Sequence, residues 1–430
     1  VTLTALLLTG CAMRTVEEMY ALPKRSEEFN EMQSAIDTAM YGMTYASPQS
    51  GENQQTVQMA DLNGDGNVEY ILFAKGSAEK PLQIFIFSET DGAYQLVDTI
   101  SCNGTAFEQV EYIAMNERPG YEIVVGRQVS DQVLRSVSVY TMVDGQIEQV
   151  LTANYSKFLC QDFDNDRFTE LLLLHPDIAD SENGVAELYS IKNGEVLRST
   201  QVKMSAPADK IKRIITGKLQ DGIPAAFVAS DVNGSAIVTD VYALVNGEFT
   251  NVAFDNEPGT SVQTLRNYYV YADDIDEDGI LELPSLITME MPRDTQTVSD
   301  QYIIRWFAIN SDGSEVNKMY TYHNFVGGWY LQLDDTLAPS FSVQQKGNAF
   351  EFGLWDKERT QVQRLMTIYA LTGQKREELA LEGNRFVIFR GESTVYAADL
   401  EGISSAYDIT KESLIAAFHL IRQDWKTGET

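Results

Sequence analysis

Three nine-residue segments hold the residue types best suited to chemistry: D-L-N-G-D-G-N-V-E at 61–69, D-F-D-N-D-R-F-T-E at 162–170 and D-I-D-E-D-G-I-L-E at 274–282. Each places a carboxylate or carboxamide at positions 1, 3, 5 and 9. A hard cation such as Ca2+ takes about six to eight oxygens, and alternate side chains on a tight loop converge to supply them, with a main-chain carbonyl at position 7. The candidate ligands are Asp61, Asn63, Asp65, Asn67 and Glu69 in the first loop. Asp162, Asp164, Asp166, Phe168 and Glu170 form the middle set, and Asp274, Asp276, Asp278, Ile280 and Glu282 the last. Asn67, Phe168 and Ile280 would contribute through the backbone. An EF-hand is excluded, because its bidentate Glu at position 12 would fall on Leu72, Leu173 or Ser285. Gly66 and Gly279 fill the sharp-turn position, whereas Arg167 brings a Cβ and a cation to it, so the middle loop is expected to bind less well. Asp- and Asn-rich turns that merely cap their own backbone are the alternative. Three such segments in register favour a metal.

Loops of this kind need strands to hold them, and apolar runs at 70–74, 171–174 and 283–287 follow the three segments. Around them runs a repeat. Asp91-Gly92, Asp144-Gly145, Asn193-Gly194, Asn246-Gly247 and Asp312-Gly313 are hairpin signals, since type I′ turns need positive φ at both central residues. Six residues before each Gly stand Ile86, Val139, Leu188, Val241 and Phe307, and five before stand Phe87, Tyr140, Tyr189, Tyr242 and Ala308. A unit of about fifty residues has room for four strands, as in a propeller blade. The expected fold is mainly β: a propeller of about five four-stranded repeats over 56–325, with seven blades, a sandwich array or a solenoid as alternatives. The acidic loops joined to strands resemble those of the FG-GAP and VCBS repeat family over about 57–322. That resemblance implies propeller blades whose calcium ligands fall at positions 1, 3, 5 and 9 of the three loops. Segments near 117–122 and 220–225 lack the ligand set.

The repeat fades after residue 322. Strands are predicted at 329–333, 341–345, 350–355, 366–371, 386–389 and 395–398, followed by a helix carrying Leu414, Phe418, Ile421 and Trp425 on one stripe. Strands closed by one helix are an α+β pattern, so 326–430 is read as a separate C-terminal α+β domain. With Gly328-Trp329-Tyr330-Leu331 and its terminal helix, it resembles the PsbP-like fold; two further blades are the other reading. Ahead of the repeats, residues 12–55 read as a tether, an amphipathic helix over about 26–40 capped by Ser26, and a polar linker.

The chain opens on V-T-L-T-A-L-L-L-T, too short an apolar run to span a bilayer, and Leu8-Thr9-Gly10-Cys11 resembles the lipobox of bacterial lipoproteins. That resemblance makes residues 1–11 the signal, with Cys11 the lipidated residue, and places the protein outside the cytoplasm on the cell envelope. The remaining cysteines, Cys102 and Cys160, are read as buried free thiols, with a bridge between them as the alternative. Sixty-three acids against 32 bases give a net charge of −31, which repels nucleic acid and anionic lipid. Membrane attachment therefore rests on the lipid alone. No G-x-S-x-G, H-E-x-x-H or G-x-x-x-x-G-K motif is present, and His175, His323 and His419 share no ligand spacing. The sequence thus points to a surface-anchored, calcium-stabilised binding or scaffold protein that recognises an extracellular protein or glycan. A carbohydrate- or peptidoglycan-active enzyme using paired carboxylates is the alternative, and a purely structural envelope component is a third reading.

Overall fold

The computed structural model describes residues 27–90, 93–129, 134–177, 183–192, 195–267, 270–290 and 301–421. Cys11, Ser26, the Asp91-Gly92 and Asn193-Gly194 turns and Trp425 lie outside them. The chain divides into two compact units, residues 1–154 and 155–430.

The first unit holds the amphipathic helix, Glu27–Ala39, and two antiparallel sheets. In the first sheet, Thr44–Tyr45 and Val57–Ala60 share one edge of Glu69–Lys75, which continues through Leu82–Thr90 to Ala93–Cys102. Ala106–Ile113, Glu122–Gln128, Arg135–Val143 and Gln146–Tyr155 make the second. Ile71, Phe73, Ile84 and Ile86 of the first meet Phe107, Val110, Ile123 and Val125 of the second in one core. The helix covers the opposite face, where Ile36 packs with Leu72, Ala74, Phe85 and Phe87. Successive residues of a strand point to opposite faces, so a sheet covered on both sides reads as a continuous apolar run. That is why the strand over Leu82–Thr90 begins L-Q-I-F-I-F.

The second unit repeats the plan four times. Sheets three and four are built from Lys157–Gln161, Glu170–Pro176, Gly184–Lys192 and Glu195–Arg198, then from Ile211–Lys218, Pro224–Val232, Ala236–Val245 and Glu248–Asn251. The fourth sheet shows the period of two plainly. Ala226, Val228 and Tyr242 pack with Leu172 and Leu174 of the third sheet, whereas Ala225, Phe227 and Val241 pack with Leu283 and Phe307 of the fifth. The chain is thus mainly β, a series of propeller-like antiparallel sheets of four or five strands. All ten repeat positions are buried, from Ile86 to Ala308. Asp144-Gly145 and Asn246-Gly247 have φ of 50° and 77°, and 54° and 81°, as type I′ turns require. Asp312-Gly313 differs: it sits in a wider turn in which Asn310 and Ser314 are bonded and the Asp312 carboxylate caps Ser314.

Six sheets are present among the described residues, and the region after 325 contributes to two of them. All six strands predicted there exist. Trp329–Leu333, however, pairs with Glu315–Asn324 in the fifth sheet, whose other strands are Leu283–Thr288, Tyr302–Ile309 and Phe418–Leu420, so residues 325–328 form a hairpin turn inside a sheet and not a break between cores. The predicted terminal helix covers only Lys411–Ala417; Phe418–Leu420 leaves it as a strand against Trp329–Leu331. Leu414, Phe418 and Ile421 are all buried, but the ring of Phe418 stacks on Trp329 at 5.4 Å, which an extended segment achieves. The last sheet is Phe341–Lys346, Ala349–Trp355, Val362–Thr372, Thr394–Leu400 and Phe386–Arg390. Its core includes Ile303, Tyr322 and Trp329 of the fifth sheet. Residues 326–430 expressed alone are therefore expected to show no cooperative thermal melt, and a sharp melt of that fragment would refute the shared core.

Candidate metal centres

Each acidic segment closes a pair of antiparallel strands in one register. Ala60 faces Glu69, Gln161 faces Glu170 and Asp273 faces Glu282, so position 9 always lies opposite the residue before position 1. In the last loop the entering strand is reduced to that single bridge. The loops share a backbone as well. Position 4 is left-handed in all three (Gly64 at 73°, Asn165 at 60°, Glu277 at 61°), and so is position 6 (Gly66 at 87°, Arg167 at 81°, Gly279 at 84°). Arg167 thus adopts the conformation its glycine counterparts hold freely, at a cost of about 1–2 kcal/mol. Its N–H still donates to Asp162 Oδ2 at 2.9 Å, as those of Gly66 and Gly279 do to Asp61 and Asp274, each at 2.9 Å. Arg167 thus brings the expected strain while the loop keeps its frame.

Backbone N–H groups within the loop hold its carboxylates in place; position 1 accepts on both oxygens in the first and last loops. The N–H of position 7 donates to position 5 at 2.7–2.8 Å in all three, from Asn67, Phe168 and Ile280. Position 9 accepts the N–H of position 2, with Leu62 and Phe163 at 2.8 Å and Ile275 at 3.0 Å. What remains are oxygens with no protein donor: Asp162 Oδ1 and Glu282 Oε1 are buried without a hydrogen-bond partner. Asp162, Asp164 and Glu170 bring one oxygen each within 4.8 Å of one another, and Asp274, Asp276 and Glu282 do the same. Buried anionic oxygens without donors are stable only if neutralised, which is what a bound cation does. The first loop is arranged differently: the Asn63 amide nitrogen donates to Glu69 at 3.0 Å and to Asp65 at 3.3 Å. It carries three carboxylates where the others carry four, so it is the weakest of the three by charge.

Two lysines invisible to sequence reading attend the acidic loops. Lys192 lies 3.3 Å from Asp164, and Lys318 lies 2.8 Å from Asp278. Both reach in from other strands, tens of residues away in the chain. The second sheet carries a fourth loop in the same strand register, 114–122, in which Ile113 faces Glu122, and Glu122 accepts the Met115 N–H at 2.8 Å and the Asn116 amide at 2.5 Å. Ala114 and Arg118 stand at positions 1 and 5, which removes the ligands, and neither Glu117 at position 4 nor Pro119 at position 6 is left-handed, so the register and the Glu122 bonds persist without the loop conformation. Glu at position 9 therefore has a structural role of its own, and Asn116 with Glu122 was the signal that could have revealed this loop. The fourth sheet turns more tightly, from Lys218 to Pro224, and has no counterpart.

Burial raises the Glu170 carboxyl to about 7; the Phe163 N–H opposes this, and Asp164, Asp166 and Asp162 add to it. Burial likewise raises Glu282 to about 8, with Asp276 and Asp278 reinforcing it. A proton held in the folded, metal-free loop above the ordinary carboxyl value means that stability falls as pH rises from about 4.5 toward 7–8 and then levels off. Calcium must displace those protons. Its affinity for the middle and last loops is expected to rise between pH 6 and 8, with protons released on binding, measured by calorimetry in buffers of different ionisation enthalpy. A pH-independent affinity would contradict the assignment.

No family model matches the chain, and no curated protein is similar to it. Among solved structures, it is similar to a rhamnogalacturonan lyase from Bacillus licheniformis (12% identity over 82% of this chain and 91% of that one, TM-score 0.31). Sqt1 from Chaetomium thermophilum is similar at 10% identity over 85% and 99%, with a TM-score of 0.31. TolB from Acinetobacter baumannii follows at 14% over 77% and 67%, with a TM-score of 0.23. At such scores the likeness identifies neither a family nor a ligand.

Cys102 and Cys160 form no disulfide; Cys102 is buried, with its sulfur 3.3 Å from the Tyr140 hydroxyl, whereas Cys160 is only partly buried. His175 lies 3.4 Å from Glu187, whereas His323 and His419 stack on the two sides of one residue, Tyr330, at 5.0 and 4.9 Å, from the strands that flank it.

Proposed function

We propose that this protein is a calcium-stabilised binding or scaffold protein of the bacterial cell surface, held there by lipid on Cys11. The observation that carries the metal reading is the set of buried carboxylate oxygens without donors at Asp162 and Glu282, in loops of one shared conformation. Asp162, Asp164, Asp166 and Glu170 would hold one ion, and Asp274, Asp276, Asp278 and Glu282 another. Asp61, Asn63, Asp65 and Glu69 would hold a third once the Asn63 amide turns its oxygen inward. The cation supplies charge neutralisation and cross-links the two strands that each loop joins; it leaves the backbone frame as the hydrogen bonds already set it. The spacing of these ligands on strand-joining loops is that of the FG-GAP and VCBS resemblance. Packed apolar sheets give each unit a support of its own, and the ligand to be displayed is an extracellular protein or glycan.

Calorimetry of the chelator-treated chain tests the metal. Millimolar calcium should bind at three sites, two stronger than the third, and no heat of binding at several millimolar would reduce the loops to turns. Radiolabelled palmitate tests the anchor, since incorporation should vanish in Cys11→Ser and persistent labelling would refute it.

A further inference from the structure

A cavity of about 430 Å3 lies between the fifth and sixth sheets, within the second unit. That is inside the range of about 300–1,000 Å3 typical of small-molecule sites. Its lining departs from the rest of the molecule. Charged residues make up 22% of the chain, yet no Asp, Glu, Lys or Arg lines this cavity among the described residues. His323, which lines it too, is buried and stays neutral, because burial lowers it to about 3. The rings of Tyr302, Tyr322, Phe325, Trp329 and Phe350 make much of the wall. Between them stand four carboxamides, Gln301, Asn324, Gln345 and Asn348.

Two polar atoms here have no protein partner. The indole nitrogen of Trp329, a residue with no exposed surface, donates to nothing, and Gln301 Oε1 is buried without a donor. Gly327 keeps the indole edge clear: a Cβ there would sit 2.7 Å from that nitrogen and 2.9 Å from Asn324 Oδ1. An apolar ligand would leave both atoms unsatisfied, at about 1–3 kcal/mol each. An anion would face the field of a chain with net charge −31 and find no cation to pair with, and a cation would find no carboxylate. A neutral ring bearing hydroxyls meets all three conditions, with C–H faces for the aromatic rings and hydroxyls for the carboxamides, the indole N–H and Gln301. A peptide strand would instead seek an open sheet edge, where its backbone can pair.

The geometry points to this cavity as a binding site for an uncharged saccharide unit. The inference rests on the reading of the chain as a surface binding protein and names the ligand class of that reading. The test uses the full chain with 15N-labelled tryptophan, assigning the Trp329 indole signal by its loss in Trp329→Phe. Probes are the methyl glycosides of neutral hexoses, 6-deoxyhexoses and N-acetylhexosamines, the matching uronic acids, and N-acetyltyrosine methylamide. At least one neutral glycoside should shift the Trp329 signal saturably, and its uronic acid should bind about tenfold more weakly. Gln301→Ala, and Asn348→Ala on the exposed rim, should each weaken binding about fivefold with unchanged melting. Silence from every glycoside, equal binding of the uronic acid, or a response to the tyrosine amide alone would each overturn the assignment. Glycoside binding without calcium binding would remove only the metal reading, and calcium binding without glycoside binding would remove only this one.

Discussion

Asp274→Ala should lose both the calcium-dependent and part of the calcium-independent stability of the second unit. Position 1 has two duties: Asp274 accepts the N–H groups of Asp278 and Gly279, each at 2.9 Å, and its oxygens converge with those of Asp276 and Glu282. Removing a cap of this kind costs about 1 kcal/mol without metal. Sites of extracellular affinity, with dissociation constants of about 10⁻⁴–10⁻³ M, gain about 0.4–1.4 kcal/mol each at about 1 mM calcium. Calcium should therefore raise the melting temperature of the wild-type chain by several degrees, and Asp274→Ala should remove one site's share. Asp162→Ala should behave alike, because Arg167 leaves the middle loop's frame in place. Asp61→Ala should cost the least calcium-dependent stability, because that loop carries fewer charges. Differential scanning calorimetry with and without chelator measures all three, and an Asp162→Ala chain that responds to calcium as wild type does would show the middle loop to be only a turn.

Trp329→Ala should be the most damaging single change, with a loss of about 3–5 kcal/mol in denaturant unfolding. Trp329 is wholly buried, packs with Phe350 at 5.2 Å and Phe418 at 5.4 Å, and its strand carries both Glu315–Asn324 and Phe418–Leu420. Truncation opens a cavity in the core that joins the last two sheets. A loss below about 1 kcal/mol would mean that this core relaxes around the hole, contrary to the packing seen.

Much of the candidate site was legible in the chain itself because its causes are local. Asp and Asn at alternate positions, with glycine at the sharp turn, dictate a loop whose side chains bond to backbone two to five residues on, and such bonds need no distant partner. Asp144-Gly145 and Asn246-Gly247 were readable for the same reason, since positive φ at two successive residues is a property of the turn alone. Arg167 carries the strain that its residue type signals, since it holds a φ of 81°. A penalty of about 1–2 kcal/mol is borne where neighbouring bonds determine the backbone.

Tertiary structure alone decided what depends on residues far apart. Nothing in the local pattern of 326–333 says whether Trp329 begins a new domain or ends an old sheet; the need to bury Trp329, Phe350 and Phe418 together settles it. The apolar spacing of Leu414, Phe418 and Ile421 suits a helix, yet pairing with Trp329–Leu331 draws Phe418 into a strand. Lys192 and Lys318 reach their carboxylates only because strands distant in sequence meet, and the uncharged cavity exists only where two sheets leave a gap. Turn chemistry is short-ranged and so is written in a few residues, whereas burial is a property of the assembled surface and has no address in the sequence until the sheets pack.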